Sequence, residues 1–198
     1  MIALIDYGAG NLTSVRKGLA AAGAPLYTPG APADLADASA VVVPGVGHFS
    51  ATRALGDPWR AAILERVNAG LPLLGICLGM HWLYEGSEED SQARGLSLIR
   101  GTCSRLPPDR KVPHVGWNTL VAKESTLLKG IANETYVYFA HSYAAPAGTA
   151  CTAFADHGVR FAAVVECGSV FGVQFHPEKS GSAGIQILKN FVSLAQPR

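Results

Sequence analysis

The spacing of apolar residues changes character about halfway along the chain. In the first half, short continuous apolar runs alternate with helical patterns. Ile2–Ile5 reads as a strand that ends at Asp6. Asn11 can cap a helix over Leu12–Ala22, which Gly23 stops. Ala40–Val43 is the kind of unbroken run a parallel strand shows when both its faces are buried, and Pro44-Gly45-Val46-Gly47 breaks it. A helical pattern covers Asp57–Asn68, Leu71–Ile76 is a third buried strand, and a helix begins just after Cys77. This β-α-β-α order predicts an α/β fold with a doubly wound, mostly parallel open sheet.

From Ser97 onward the segments are short, rich in strand formers and separated by turns. They run Leu98–Leu106, Val115–Val121, Tyr136–Tyr143, Cys151–Ala155, Arg160–Glu166 and Val170–Phe175. A last helix, about Gly184–Ala195, returns to the core. The expectation is an antiparallel portion added to the parallel sheet, with residues 1–198 forming one domain.

Composition narrows the function classes. With 198 residues, 48% hydrophobic and 16% charged, the chain can bury a core without disulfide or metal staples and is not a disordered protein. A net charge of +1 without a basic block argues against a nucleic-acid or anionic-membrane binder. The nearly apolar run Leu71–Tyr84 holds Pro72 and is too short and broken to span a bilayer. No basic segment precedes the first apolar stretch, so no signal peptide is expected and the default location is the cytoplasm. The four cysteines lack C-x-x-C spacing and no two histidines stand four apart, so no metal site is expected. Cys103, Cys151 and Cys167 are expected to be small buried hydrophobes.

Cys77 stands apart. Gly75-Ile76-Cys77-Leu78-Gly79 has the form G-x-nucleophile-x-G at the junction of a buried strand and a helix. A sharp turn there pushes the middle side chain out of the sheet, and small residues two positions away avoid a clash. A free thiol titrates near about 8.5, so a nucleophilic cysteine needs a helix N-terminus or a neighbouring imidazolium. His176-Pro177-Glu178 follows the run Val170–Phe175. In extended chain, His176 and Glu178 would share a face, with Pro177 turned away and ending the strand. Sites in doubly wound sheets gather at the carboxyl ends of strands, so Cys77, His176 and Glu178 can meet as a nucleophile, base and orienting carboxylate. The Pro44–Gly47 loop could turn N–H groups toward an oxyanion, together with the N–H of Leu78. Tyr136 and Tyr138 fall on one face of their strand; beside Trp117 they suit either sheet packing or a partner surface.

These residues carry a resemblance. GICLGM at 75–80 with the later HPE resembles the class I, triad-type glutamine amidotransferases. The closer resemblance, spread over nearly the whole chain, is to the glutaminase subunits of imidazole glycerol phosphate synthases. It rests on DYGAGNL at 6–12, PGVGHF at 44–49, VPHVGWN at 112–118, YFAHSY at 138–143 and GVQFHPEKSG at 172–181.

The resemblance implies a flavodoxin-like sheet and hydrolysis of L-glutamine through a γ-glutamyl thioester. Cys77 would be the nucleophile, His176 the proton carrier and Glu178 its orienting partner. The oxyanion would sit at Leu78 and at Val46 or Gly47. Gly47, His81 and His141-Ser142-Tyr143 match positions that hold glutamine. Asn11, Trp117, Tyr138 and Lys179 match the contact with a cyclase subunit, a separate (β/α)₈ barrel that receives the ammonia in a heterodimer. Histidine biosynthesis is the implied pathway, with no cofactor.

Two departures stand out: His81, where the family usually has Gln, and Ala9 inside the DYGAGN loop. Imidazole is shorter and differently shaped, so it either keeps one hydrogen bond to glutamine or shifts its binding. A glutaminase for another synthase would share GICLGM and HPE without VPHVGWN and YFAHSY. A non-catalytic binding protein would be expected to have lost the nucleophile or base.

Overall fold

The computed structural model describes residues 1–195. Strands β1 (Ile2–Leu4), β2 (Leu26–Tyr27), β3 (Ala40–Val43) and β4 (Leu73–Ile76) alternate with helices α1 (Leu12–Ala21), α2 (Asp57–Asn68) and α3 (Leu78–Leu83). Next come β5 (Gly86–Ser87), β6 (Asp90–Arg94), β7 (Thr102–Arg105), β8 (His114–Thr119), β9 (Val121–Ala122), β10 (Tyr136–His141) and β11 (Tyr143–Ala144). The chain closes with β12 (Cys151–Asp156), β13 (Arg160–Cys167), β14 (Val170–Val173) and α4 (Gly181–Leu194).

The main sheet has eight strands in the order β2-β1-β3-β4-β14-β13-β12-β9. It is parallel from β2 to β14 and antiparallel beyond. This is the doubly wound, mostly parallel arrangement with an antiparallel portion. Successive residues of its parallel strands enter different cores. Ile2, Leu4 and Val42 pack with Val15 and Leu19 of α1 and Ile187, Leu188 and Phe191 of α4. Ala3, Val41 and Val43 pack with Ile63 of α2 and with Leu78, Met80 and Trp82 of α3. Burial on both faces is why these strands are continuous apolar runs.

The second half departs from the expected boundaries. Only part of Leu98–Leu106 is strand, as β7, and Tyr136–Tyr143 breaks at Ser142 into β10 and β11. A two-stranded ribbon, β8 with β10, and a small sheet, β11-β7-β5-β6, stand outside the main sheet. The β5–β6 hairpin escapes sequence reading because Gly86–Arg94 is almost wholly polar and carries no apolar alternation. Cys103 and Cys151 are buried, but Cys167 is exposed at the end of β13. No described helix is long and apolar enough to cross a membrane.

Candidate active site

β4 ends at Ile76 and α3 begins at Leu78, leaving Cys77 alone in the turn with φ 52° and ψ −106°. A non-glycine residue in such a conformation stores about 1–3 kcal/mol of strain and persists only where its surroundings over-determine it. Here the Cys77 N–H donates to the Val173 carbonyl at 2.8 Å, and the Cys77 carbonyl accepts from the His81 N–H at 3.1 Å. The flanking glycines are demanded by space. A Cβ on Gly75 would stand 2.5 Å from the Gly79 carbonyl oxygen, and one on Gly79 would stand 1.8 Å from that of Val43. The elbow expected from G-x-C-x-G is therefore present, with its side chain aimed out of the sheet.

β14 lies beside β4, and this pairing carries His176 to the same sheet edge. Its backbone is locked against β10: the His176 N–H donates to the Tyr138 carbonyl at 2.8 Å, and the Ser180 hydroxyl donates to the His176 carbonyl at 2.7 Å. His176 Nδ1 lies 2.9 Å from Glu178 Oε1, with both side chains 2% exposed. The pair forms as expected but not by strand alternation. β14 stops at Val173, and Pro177–Lys179 make one turn of 3₁₀ helix. Proline's fixed φ suits such a turn, which folds Glu178 back under the imidazole.

Burial disfavours charge on His176, but Cys77 and the Glu178 carboxylate outweigh it and hold the pKa up at about 9. His176 Nε2 faces Cys77 closely enough to feel it, yet no aligned hydrogen bond joins them. Loose nucleophile–base geometry is usual before substrate binds.

Cys77 opens into a cleft of about 300 Å³. Its lining contains every residue expected to hold the ligand: Gly47, His81, His141, Ser142 and Tyr143. It also contains Glu89 from the tip of the β5–β6 hairpin, which the sequence reading missed. Glu89 Oε2 accepts from the Phe49 N–H at 2.8 Å, tying that hairpin to the loop after β3.

Three expectations are refined. Leu78 is beside the Pro44–Gly47 loop, but its N–H is not open to an oxyanion, because it donates to the Gly45 carbonyl at 3.3 Å. The N–H groups of Val46 and Gly47 donate to nothing among the described residues. His81 faces the cleft, but its Nε2 pairs with Gln174 Oε1 at 2.7 Å. Burial depresses its pKa to about 4, so it is neutral rather than cationic. His141 has both ring nitrogens engaged, with the Tyr143 carbonyl at 2.8 Å and with His114 at 3.0 Å. Its imidazole is not free for a ligand.

Trp117 and Tyr138 are opposite one another on the β8–β10 ribbon, with ring centroids 6.0 Å apart. Val137 and Phe139 of the same ribbon face the core. The other face is apolar and open: Val115 is 59%, Trp117 55% and Tyr136 62% exposed. Lys179 Nζ stands 5.7 Å from the Tyr138 ring. Asn11 is exposed and caps α1 by accepting from the Ser14 N–H, and α1 packs on the turn that carries Lys179.

The family described as "Glutamine amidotransferase class-I" matches residues 3–194. The chain is 46% identical to "Imidazole glycerol phosphate synthase subunit HisH" of Natronomonas pharaonis, over all of this chain and 96% of that one. It is 44% identical to the protein of the same name from Methanothermobacter thermautotrophicus, covering 98% of each. A glutamine amidotransferase crystal structure superposes with a TM-score of 0.77 at 18% identity, over 98% of this chain and 99% of that one. The glutaminase domain of Trypanosoma brucei CTPS with bound acivicin gives 0.71 at 18% identity, over 98% and 92%. The chain belongs to the class-I glutamine amidotransferases and, among them, to the HisH subunits of imidazole glycerol phosphate synthase.

Proposed function

We propose that this chain hydrolyses L-glutamine and passes the ammonia to a cyclase subunit, a (β/α)₈ barrel bound as a heterodimer in the cytoplasm. The cyclase would use it to make imidazole glycerol phosphate and aminoimidazole carboxamide ribotide for histidine biosynthesis. The observation that carries this reading is the convergence of the strained Cys77 elbow with the buried His176–Glu178 pair at one small cleft. At about 300 Å³ the cleft is at the lower end of ligand sites and suits an amino acid. The Glu89 carboxylate gives it a partner for an α-ammonium group.

In this reading the Cys77 thiolate attacks the side-chain amide carbon, and the Cδ–N bond breaks as imidazolium His176 protonates the departing nitrogen. Ammonia leaves a γ-glutamyl thioester. His176, now neutral, takes a proton from water, whose oxygen attacks the thioester and releases glutamate. Glu178 orients the ring and favours its cation. Stabilising the tetrahedral oxyanion at Leu78 requires the Gly45 carbonyl to turn away, after which Leu78 with Val46 or Gly47 can donate.

A proton on His176 is essential to the leaving group, which fixes a sign. The ring's pKa lies above the ordinary 6.5, at about 9. Its cation therefore persists through neutral pH and disappears as pH rises through about 9. The kcat of glutamine hydrolysis should show an alkaline limb there, moved toward neutral by Glu178→Gln. A limb near 6.5 in the unaltered chain would contradict the assignment.

The open apolar face around Trp117 and Tyr138 supports a protein partner. Lys179, next to Glu178 and over the Tyr138 ring, can carry a partner's carboxylate contact to the triad turn. Glutaminase activity should be low alone and rise many-fold with the cyclase and its nucleotide ligand, and Lys179→Ala should cut the stimulated rate several-fold. Strong activity indifferent to the cyclase would contradict the assembly. Unchanged stimulation in Lys179→Ala would contradict the route.

A further inference from the structure

We infer that Gln174 is a positioning residue that holds a hydrogen-bond donor on the Cys77 sulfur, and that His81 sets the direction of that donor. The inference rests on Cys77 being the nucleophile and goes beyond the triad. Gln174 follows β14 and is fully buried, and its backbone N–H is anchored on the Ala163 carbonyl at 2.9 Å. Its amide oxygen lies 2.7 Å from His81 Nε2, and its amide nitrogen donates to Cys77 Sγ at 3.8 Å. His81 is one helical turn beyond Cys77 and donates its own N–H to the Cys77 carbonyl.

A primary amide has one accepting and one donating end, so fixing one end fixes the other. A carbonyl oxygen can pair with His81 Nε2 only if that nitrogen carries hydrogen. Burial keeps the ring neutral, so the hydrogen on Nε2 leaves Nδ1 bare. With this tautomer the amide N–H group must point at sulfur. The opposite tautomer would let the amide turn over and present its oxygen to sulfur, which repels a thiolate. The observed pairing is thus the one that favours negative charge on Cys77, and a hydrogen on His81 Nε2 is what would hold it in place.

The titratable groups around Cys77 are His176, backed by Glu178, from the turn after β14; Tyr7 from the loop after β1; His81 from α3; and Glu89 and His141 across the cleft. Gln174 differs from all of them in that it neither gains nor loses a proton. It stabilises the thiolate without competing for the proton that His176 must deliver. Its loss should therefore act on the chemical step more than on glutamine binding.

The test uses the full chain, with iodoacetamide alkylation of Cys77 followed against pH, and kcat and KM measured with the cyclase present. Gln174→Leu should move the alkylation midpoint up by about one pH unit, as loss of a charge-assisted hydrogen bond does. It should lower kcat about tenfold, the factor that one such unit represents, with KM changed by less than about twofold. His81→Leu should shift the midpoint in the same direction, and His81→Gln, whose amide can still donate to Gln174, should restore it. An unshifted midpoint in Gln174→Leu would overturn the inference. So would equal damage in His81→Leu and His81→Gln, a pair that decides the matter even if Gln174→Leu fails to fold. A Cys77 inert to alkylation in the unaltered chain would overturn the nucleophile assignment itself, and this inference with it.

Discussion

Cys77→Ala should abolish glutamine hydrolysis, lowering kcat by about 10⁴–10⁶-fold, while the protein keeps its fold. The size follows from the kind of group removed: nucleophile and base act as a unit, and losing the attacking atom leaves only binding and oxyanion stabilisation. The fold survives because alanine removes one sulfur from a side chain that lines an open cleft, and no hydrogen bond essential to the elbow uses that sulfur. The backbone bonds to Val173 and His81 remain. Glu178→Ala should cost less, about 10²–10⁴-fold, because the imidazole persists but loses its orienting partner and the support for its cation. Glutamate release measured with the cyclase present, alongside circular dichroism of each variant, checks both values. Residual activity above about one per cent in Cys77→Ala would mean that another group performs the attack.

Gly79→Ala has the largest expected effect on stability. The added Cβ would meet the Val43 carbonyl oxygen at 1.8 Å. Neither β3 nor α3 can yield easily, since Val43 and Gly79 lie within the packed layer between sheet and helix. Overlap with backbone costs several kcal/mol, a large share of the roughly 5–15 kcal/mol that holds a typical domain together. At about 2–4 °C per kcal/mol for a chain of this size, calorimetry should show a melting temperature lowered by about 10 °C or more. Any surviving folded protein should be a poor glutaminase, because relief of the clash displaces Leu78 and Cys77 together. A melting temperature within about 2 °C of the unaltered chain would show that β3 and the elbow are not so closely packed.

The elements that sequence reading placed best are those whose physics is local. Ala40–Val43 and Asp57–Asn68 match β3 and α2 because each is bounded by breakers, and β3, buried throughout, is an unbroken apolar run. The elbow was legible for the same reason: steric demands on Gly75 and Gly79 arise within a few residues of Cys77. The meeting of Cys77 with His176 was legible through a rule about sheet edges. What escaped depends on partners far away in the chain. The engagement of His81 is with Gln174, a residue 93 positions on. The engagement of Leu78 is with a loop oxygen whose direction no residue type dictates. Glu89 rides on a hairpin whose solvent-facing strands need no apolar residues and so leave no periodic trace. Glu178 reached its place by a 3₁₀ turn rather than by alternation, a distinction that the tripeptide His-Pro-Glu does not encode.

Whether Cys77 is an activated nucleophile in a glutamine-binding cleft is decided by a glutamine-like electrophile. The chain, bound to its cyclase, would be treated with such a reagent at neutral pH and its four cysteines mapped by peptide mass spectrometry. The expected result is rapid modification of Cys77 alone, slowed by added glutamine, with buried Cys103 and Cys151 and exposed Cys167 left essentially free. Modification led by Cys167, or labelling of Cys77 that glutamine does not slow, would contradict it.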